Sequence, residues 1–149
     1  MLGELSSDEI EALLRTEWVA RLGCHADGFT YVVPITYAYD GQAIYGHSAE
    51  GLKLRMLRAN PQVCVEVETV ENLANWRSVI AWGRFEELGE EAARKALQRL
   101  IVRFESKMTS ETAIPSHGRA MQHQAGSAAK GPVVYRVVLD RKTGRFERR

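Results

Sequence analysis

Ser48 and Lys53 bracket the start of a short helical pattern, and together they offer an anion three kinds of donor: a hydroxyl, an ammonium and the first amides of a helix. The helix is predicted from about Glu50 to Ala59, with Ser48 as its N-cap and Asn60-Pro61 as its stop. An N-cap and a solvated lysine need no ligand, so spacing alone permits a phosphate site without requiring one. His47 closes the strand-like run before Ser48. An imidazole there can donate to a phosphate or ring oxygen, relay a proton, or tie the strand end down. Val33, Pro34 and Ile35 form a second candidate. Proline cannot donate to a ladder, so this segment belongs at an edge, at a bulge, or where a strand leaves its neighbour to face a ligand. Amides and carbonyls freed in that way suit the polar rim of a planar heterocycle. Trp76 and Ser78 open a later strand-like run, where a tryptophan by itself reads as core or interface. Cys24 and Cys64 stand alone in predicted strands, with no C-x-x-C and no histidine at ligand spacing, so two buried free thiols and no metal site are expected.

The elements that must position these residues follow from periodicity. Ser6-x-x-Glu9 is a capping box, and Ile10, Leu13 and Leu14 continue it as a helix over about Ser7 to Thr16. Glu17 to His25 alternates as a strand, Asp27-Gly28 turns the chain, and Phe29 to Tyr39 is apolar on both faces. Asp40-Gly41 lies between two runs of strand formers, so Tyr31 to Tyr39 and Ala43 to His47 are expected to pair antiparallel. Gln62 to Thr69 and Trp76 to Leu88 are further strands, with Gly83 marking a bulge. Glu90 to Lys107 is the longest helix, its apolar face made of Ala93, Leu97, Leu100, Ile101 and Phe104. Met108 to Gly131 has little periodicity and reads as a long loop, in which His117 and His123 are expected to be solvated. Val133 to Leu139 is the closing strand, after which Lys142 to Arg145 turns into a last short segment. Hairpin spacing, not βαβ spacing, predicts a mainly antiparallel barrel with flanking helices.

Composition narrows the function classes. The 149 residues suit one domain over 1–149, large enough to bury roughly two-thirds of the unfolded surface. With a net charge of +1 there is no global field to gather nucleic acid, and neither a G-x-G-x-x-G nor a Walker motif is present. The N-terminus is acidic and amphipathic and no stretch approaches the ~20 apolar residues of a membrane span, so a cytoplasmic protein is expected.

Four stretches taken together carry a family pattern: VVPITYAYDGQAIYGHSAEGLK, NPQVCVEVE, W-x-S-V-I-x-x-G from Trp76 to Gly83, and VVYRVVLDRKTGR from Val133 to Arg145. From about Trp18 to Arg145 the chain resembles the pyridoxamine 5′-phosphate oxidase-like superfamily of FMN-binding split β-barrels, within it the branch of the nitroimidazole-resistance proteins. The resemblance implies FMN as cofactor, its phosphate on Ser48 and Lys53 and its isoalloxazine edge along Val33, Pro34 and Ile35. It also implies a homodimer in which Trp76 and Ser78 approach the flavin from the other subunit, and an active-site role for His47. Leu52 departs from the pattern, since many relatives have arginine before the lysine; Arg55, Arg58 or a partner residue would have to make up the charge. The implied activity is an FMN-dependent oxidoreductase passing electrons from a donor such as NAD(P)H to a nitroaromatic or quinone-like acceptor. Pyridoxamine 5′-phosphate oxidation fits less well, because a phosphorylated substrate needs a second basic cluster. Two other outcomes stay open: a flavin carrier or sensor without turnover, and a split barrel that binds haem or a deazaflavin.

Overall fold

A computed structural model of the chain describes residues 1–105 and 131–149. Helix α1 (Ser7–Thr16) starts at the predicted capping box: the Ser6 hydroxyl accepts from the Glu9 amide at 3.2 Å, and the Glu9 carboxylate accepts from the Ser6 amide at 3.3 Å. Ile10, Leu13 and Leu14 turn inward from it and join the main core. Ahead of it lies β1 (Leu2–Glu4), too short to show an alternating pattern and therefore invisible to periodicity. It pairs with the far end of the last strand.

Strands β2 (Val19–Ala26) and β3 (Phe29–Thr36) form a hairpin across Asp27 and Gly28, which take φ values of 53° and 77° as a two-residue primed turn requires. At Tyr37 the chain changes partner. Tyr37 is fully buried, its hydroxyl donates to the Leu14 carbonyl at 2.7 Å, and its amide donates to the Trp18 carbonyl at 3.1 Å. Past this anchor β4 (Ala38–Tyr39) pairs with β5 (Ala43–Ser48). The expected pairing of the whole Tyr31 to Tyr39 run with Ala43 to His47 is thus corrected: only Ala38 and Tyr39 take part, opposite Tyr45 and Ile44, and the earlier residues pair with β2. Asp40 also shapes its loop differently from a tight turn. Its carboxylate accepts from the Gln42 and Ala43 amides at 2.8 Å each, so the side chain takes the bond its own carbonyl would accept from Ala43, while the Asp40 amide still donates to the Ala43 carbonyl at 3.3 Å.

The remaining elements are α2 (Leu52–Ala59), β6 (Gln62–Asn72), β7 (Asn75–Glu87), α3 (Glu90–Glu105) and β8 (Val133–Glu147). All neighbours are antiparallel, in the order β3-β2-β6-β7-β8-β5-β4 with β1 beside β8. Since β3 and β4 lie at opposite ends of that order yet are joined through Tyr37, the sheet rolls into a barrel, split between β3 and β5. Val63, Val65 and Val67 point inward from β6 while Cys64, Glu66 and Glu68 point outward, as strand alternation requires. The predicted bulge falls at Gly83, where the β7–β8 register shifts and a Cβ would come within 2.2 Å of the Val138 carbonyl oxygen. β8 does not turn at Lys142 to Arg145; these residues continue the ladder opposite Ala81, Ile80, Val79 and Ser78. Helix α3 lies outside the barrel, with Leu97, Leu100, Ile101 and Phe104 against Ala38 and Tyr45. The predicted end of this helix at Lys107 and most of the loop from Met108, with His117 and His123, lie outside the described residues. Among the described residues no helix is long and apolar enough to cross a membrane.

Candidate functional site

Helix α2 opens at Gly51, which caps it without a side-chain hydrogen bond, and the first helical bond runs from the Arg55 amide to the Gly51 carbonyl at 3.1 Å. Ser48 is therefore not the cap. It is the last residue of β5, separated from the helix by a bend, and its hydroxyl donates to the Ala49 carbonyl at 2.8 Å. The uncapped start leaves the amides of the first turn available to an acceptor.

Lys53 stands in that first turn. It is half-buried, its ammonium lies 5.9 Å from the centre of the Tyr135 ring, and among the described residues no carboxylate pairs with it. Burial holds its pKa below the ordinary lysine value, with the nearby Cys24 thiol acting weakly the other way. A desolvated cation without a counter-ion, beside free helix amides, is a place where an anion gains from both. Of the two further cations of this helix, Arg55 is exposed and makes no ion pair with a described residue, whereas Arg58 is already engaged. Arg58 donates through both terminal nitrogens to Glu50, at 2.8 and 2.9 Å, and through one of them to Glu87. It does not make up the charge that Leu52 leaves out, and Leu52 is itself 41% exposed.

Tyr135 is the residue that sequence reasoning missed. It sits on β8 opposite Gly46 of β5, fully buried against Phe85, and its hydroxyl has no hydrogen-bond partner among the described residues. The run Val133 to Leu139 gave away its inward face by alternation, but a string of letters does not say whether a buried hydroxyl is satisfied. His47, next along β5, lies on the other face with Tyr45, opposite Val134, its ring edge-on to Phe104 at 6.3 Å. Alternation therefore separates His47 from the Tyr135 and Lys53 side of the strand.

Val33 and Ile35 turn toward the core, whereas Pro34 is exposed opposite Arg21. β3 pairs only with β2, so along Val33 to Ile35 the outer edge keeps its backbone groups free among the described residues. The expectation of an edge proline holds, and what this segment offers a ligand is backbone. Trp76 and Ser78 are elsewhere. Trp76 pairs with Glu147 near one end of β7 and its indole donates to the Glu147 carboxylate at 3.3 Å, whereas Tyr135 pairs with Glu87 at the other end. At ~3.3 Å per residue on the order of 35 Å of strand separates them, so one chain does not bring Trp76 to Lys53.

The outer face of β3, β2, β6 and β7 carries a separate cavity of about 530 Å³, lined mainly by apolar surface of Gly23, Val32, Cys64 and Trp82 with Arg21 and Glu66 at its side. Cys64 faces it and is only partly buried, which corrects the expected pair of buried thiols; Cys24 alone is buried, its thiol directed at the Tyr31 carbonyl. Glu66 has one carboxylate oxygen buried there without a partner among the described residues, and burial and the neighbouring Glu68 hold its pKa above the usual range against the pull of Arg21.

The family model for pyridoxamine 5′-phosphate oxidase matches residues 6–146. Among solved structures, an FAD-binding protein of Mesorhizobium loti is 28% identical, with 98% of each chain covered and a TM-score of 0.70. A candidate 5-nitroimidazole antibiotic resistance protein of Bacteroides thetaiotaomicron is 22% identical, covering 98% of this chain and 87% of that one at a TM-score of 0.72. An uncharacterized protein of Rhizobium meliloti is 36% identical over 84 residues, so the match spans little more than half of either chain, 56% of each. With its split antiparallel barrel and a family match over nearly its whole length, the chain belongs to the pyridoxamine 5′-phosphate oxidase family.

Proposed function

We propose that the protein is a flavin-dependent oxidoreductase that binds FMN and passes electrons from a donor such as NAD(P)H to a small nitroaromatic or quinone-like acceptor. The observation that carries this reading is Lys53: an ammonium, half-buried and without a carboxylate partner among the described residues, at the uncapped start of α2. Bound flavin supplies two-electron redox chemistry, and the chain's residues bind, orient and shield it. Lys53 and the first amides of α2 hold the phosphate. Val33 to Ile35 present edge backbone to the polar rim, and Ser48, at the end of β5, borders the same strand-to-helix junction. His47 stands in this reading as the group that holds or moves a proton; its side chain lies on the opposite face of β5 from Lys53, so it would act on a part of the flavin away from the phosphate. The FAD-binding protein of Mesorhizobium loti favours a flavin of either kind. FMN and FAD share the ribityl phosphate ester that Lys53 would meet, and chromatography of the released cofactor tells them apart.

In the same reading the protein is a homodimer, with Trp76 and Ser78 of the partner subunit completing each site. The exposed apolar surface of Val32 (62%) and Ile80 (38%), on the outer face of β3, β2, β6 and β7, suits burial against a second copy. Oxidation of pyridoxamine 5′-phosphate is not proposed, because that substrate's own phosphate needs a second cationic cluster, and besides Lys53 helix α2 offers only the exposed Arg55, Arg58 being taken up by Glu50 and Glu87.

The test is the absorption spectrum of the purified protein followed by anaerobic addition of NADH or NADPH. Flavin bands that bleach with donor and return with a nitroaromatic or quinone support the reading; flavin that no donor reduces makes the protein a carrier, and haem bands or no chromophore would overturn it. In the same assay His47→Ala lowers turnover more than flavin affinity, and equal rates would remove its proton-transfer role.

A further inference from the structure

The Tyr135 hydroxyl is fully buried, has no partner among the described residues, and is housed by a glycine. A Cβ at Gly46 would lie 2.5 Å from that oxygen, so a hydrogen at residue 46 is a condition for Tyr135 to fit. Phenylalanine would fill nearly the same volume against Phe85 without taking an unsatisfied hydroxyl out of water, which is unfavourable unless something accepts its proton. The ring that carries this hydroxyl lies under the Lys53 ammonium, 5.9 Å from its centre, and among the described residues no carboxylate pairs with that ammonium. Gly46 is two residues before the end of the strand that leads into α2. Ring burial raises the Tyr135 pKa far above neutrality, so the group is a proton donor wherever the protein is folded.

We propose that the Tyr135 hydroxyl is a ligand of the flavin phosphate ester, donating a hydrogen bond to a phosphate oxygen whose charge is balanced by Lys53 and the first amides of α2. Gly46 makes the room that lets the tyrosine reach it. This rests on the flavin reading above, which it sharpens by adding a neutral donor from β8 to a site otherwise made of β5 and α2. It also changes what the site selects. A donor aimed at the ester discriminates between phosphorylated and unphosphorylated flavin, whereas packing of the ring alone would not.

Dialysed wild type and Tyr135→Phe are titrated with FMN and with riboflavin, following quenching of flavin fluorescence, and the ligand-free proteins are melted in parallel. Tyr135→Phe is expected to weaken FMN binding roughly tenfold or more, as for loss of a hydrogen bond to a charged group, to leave riboflavin binding unchanged, and to melt at the same or a higher temperature without ligand. Equal FMN affinity in the two proteins would overturn the proposal while leaving the flavin reading intact. An equal loss for riboflavin, or a lower melting temperature of the ligand-free variant, would overturn it too, by making the hydroxyl a packing or internally bonded group. A wild type that binds neither flavin would remove the flavin reading itself, and this proposal with it.

Discussion

Lys53 is where stability and binding pull in opposite directions. Its ammonium is partly desolvated, with no carboxylate partner among the described residues, and its folded-state pKa lies below that of an unfolded lysine. The native state then binds the proton less well than the unfolded state does. The penalty is fully present below the folded pKa and is relieved as pH rises through it. Lys53→Met keeps the aliphatic stem and removes the charge. Ligand-free Lys53→Met is therefore expected to be the more stable protein at neutral pH, by about 1 kcal/mol in urea unfolding, with the gap narrowing as pH is raised through the lowered lysine pKa. FMN affinity should fall by roughly 1.5–3 kcal/mol in a fluorescence titration. A variant that is less stable at neutral pH, or that binds FMN as before, would take Lys53 out of the site.

At the scale of elements, the barrel is tied to α1 by a closed triangle of polar contacts. Lys142 on β8 donates to Glu11 of α1 at 2.6 Å and to the Tyr39 hydroxyl of β4 at 2.7 Å, and that hydroxyl donates to the other Glu11 oxygen at 2.7 Å. Arg15 and Lys142 both lie over the Tyr39 ring, at 5.4 Å from its centre. Burial pushes the Glu11 pKa up, but the hydrogen bonds from Lys142 and Tyr39 outweigh it and hold the carboxyl below its ordinary value. Burial likewise pulls the Lys142 pKa down, and its bonds to Glu11 and Tyr39 leave it raised. The depressed carboxyl contributes stability above its unfolded pKa that is lost as pH falls through the folded value; the raised amine contributes stability that is lost only as pH climbs through its own. Lys142→Met should cost about 1 kcal/mol at pH 7. The difference from wild type should shrink when unfolding is followed at pH 3, and a pH-independent difference would mean that packing of the lysine stem, not its charge, holds the triangle. Most helices and strands were legible from alternation and caps: the Ser6 box, the valines of β6, the stripe of α3 and the Gly83 bulge all fell where periodicity put them. The partner exchange at Tyr37 was not. It depends on a hydroxyl reaching the Leu14 carbonyl, a contact between residues far apart in the chain.

For the whole molecule, the distance along β7 between Trp76 and the level of Tyr135 makes a composite site a testable matter of symmetry. If each site takes Lys53 from one subunit and Trp76 from the other, then Lys53→Met and Trp76→Ala homodimers carry two damaged sites each, while a mixed dimer carries one site with both changes and one with neither. Unfolding and refolding the two variants together in equal amounts should restore full-affinity FMN binding to about a quarter of all sites, given random pairing into two-fold dimers. No recovery, with mixed dimers confirmed by mass, would place each site within one chain.

The sequence by itself determined the family pattern and most of the helices and strands, and it singled out Ser48 and Lys53 as anion-site candidates, because caps, turns, alternation and a lysine in a helix's first turn are local properties. Only the tertiary structure decided which candidates share a face. It moved Ser48 from helix cap to strand end, set His47 under α3 on the far side of β5, occupied Arg58 with Glu50 and Glu87, and brought Tyr135 from near the end of the chain to Gly46 and Lys53. Those outcomes depend on the register between β5 and β8 and on the closing of the barrel through Tyr37. A one-residue slip of that register would exchange Tyr135 for its neighbours on the inner face, and no local pattern of residues fixes it.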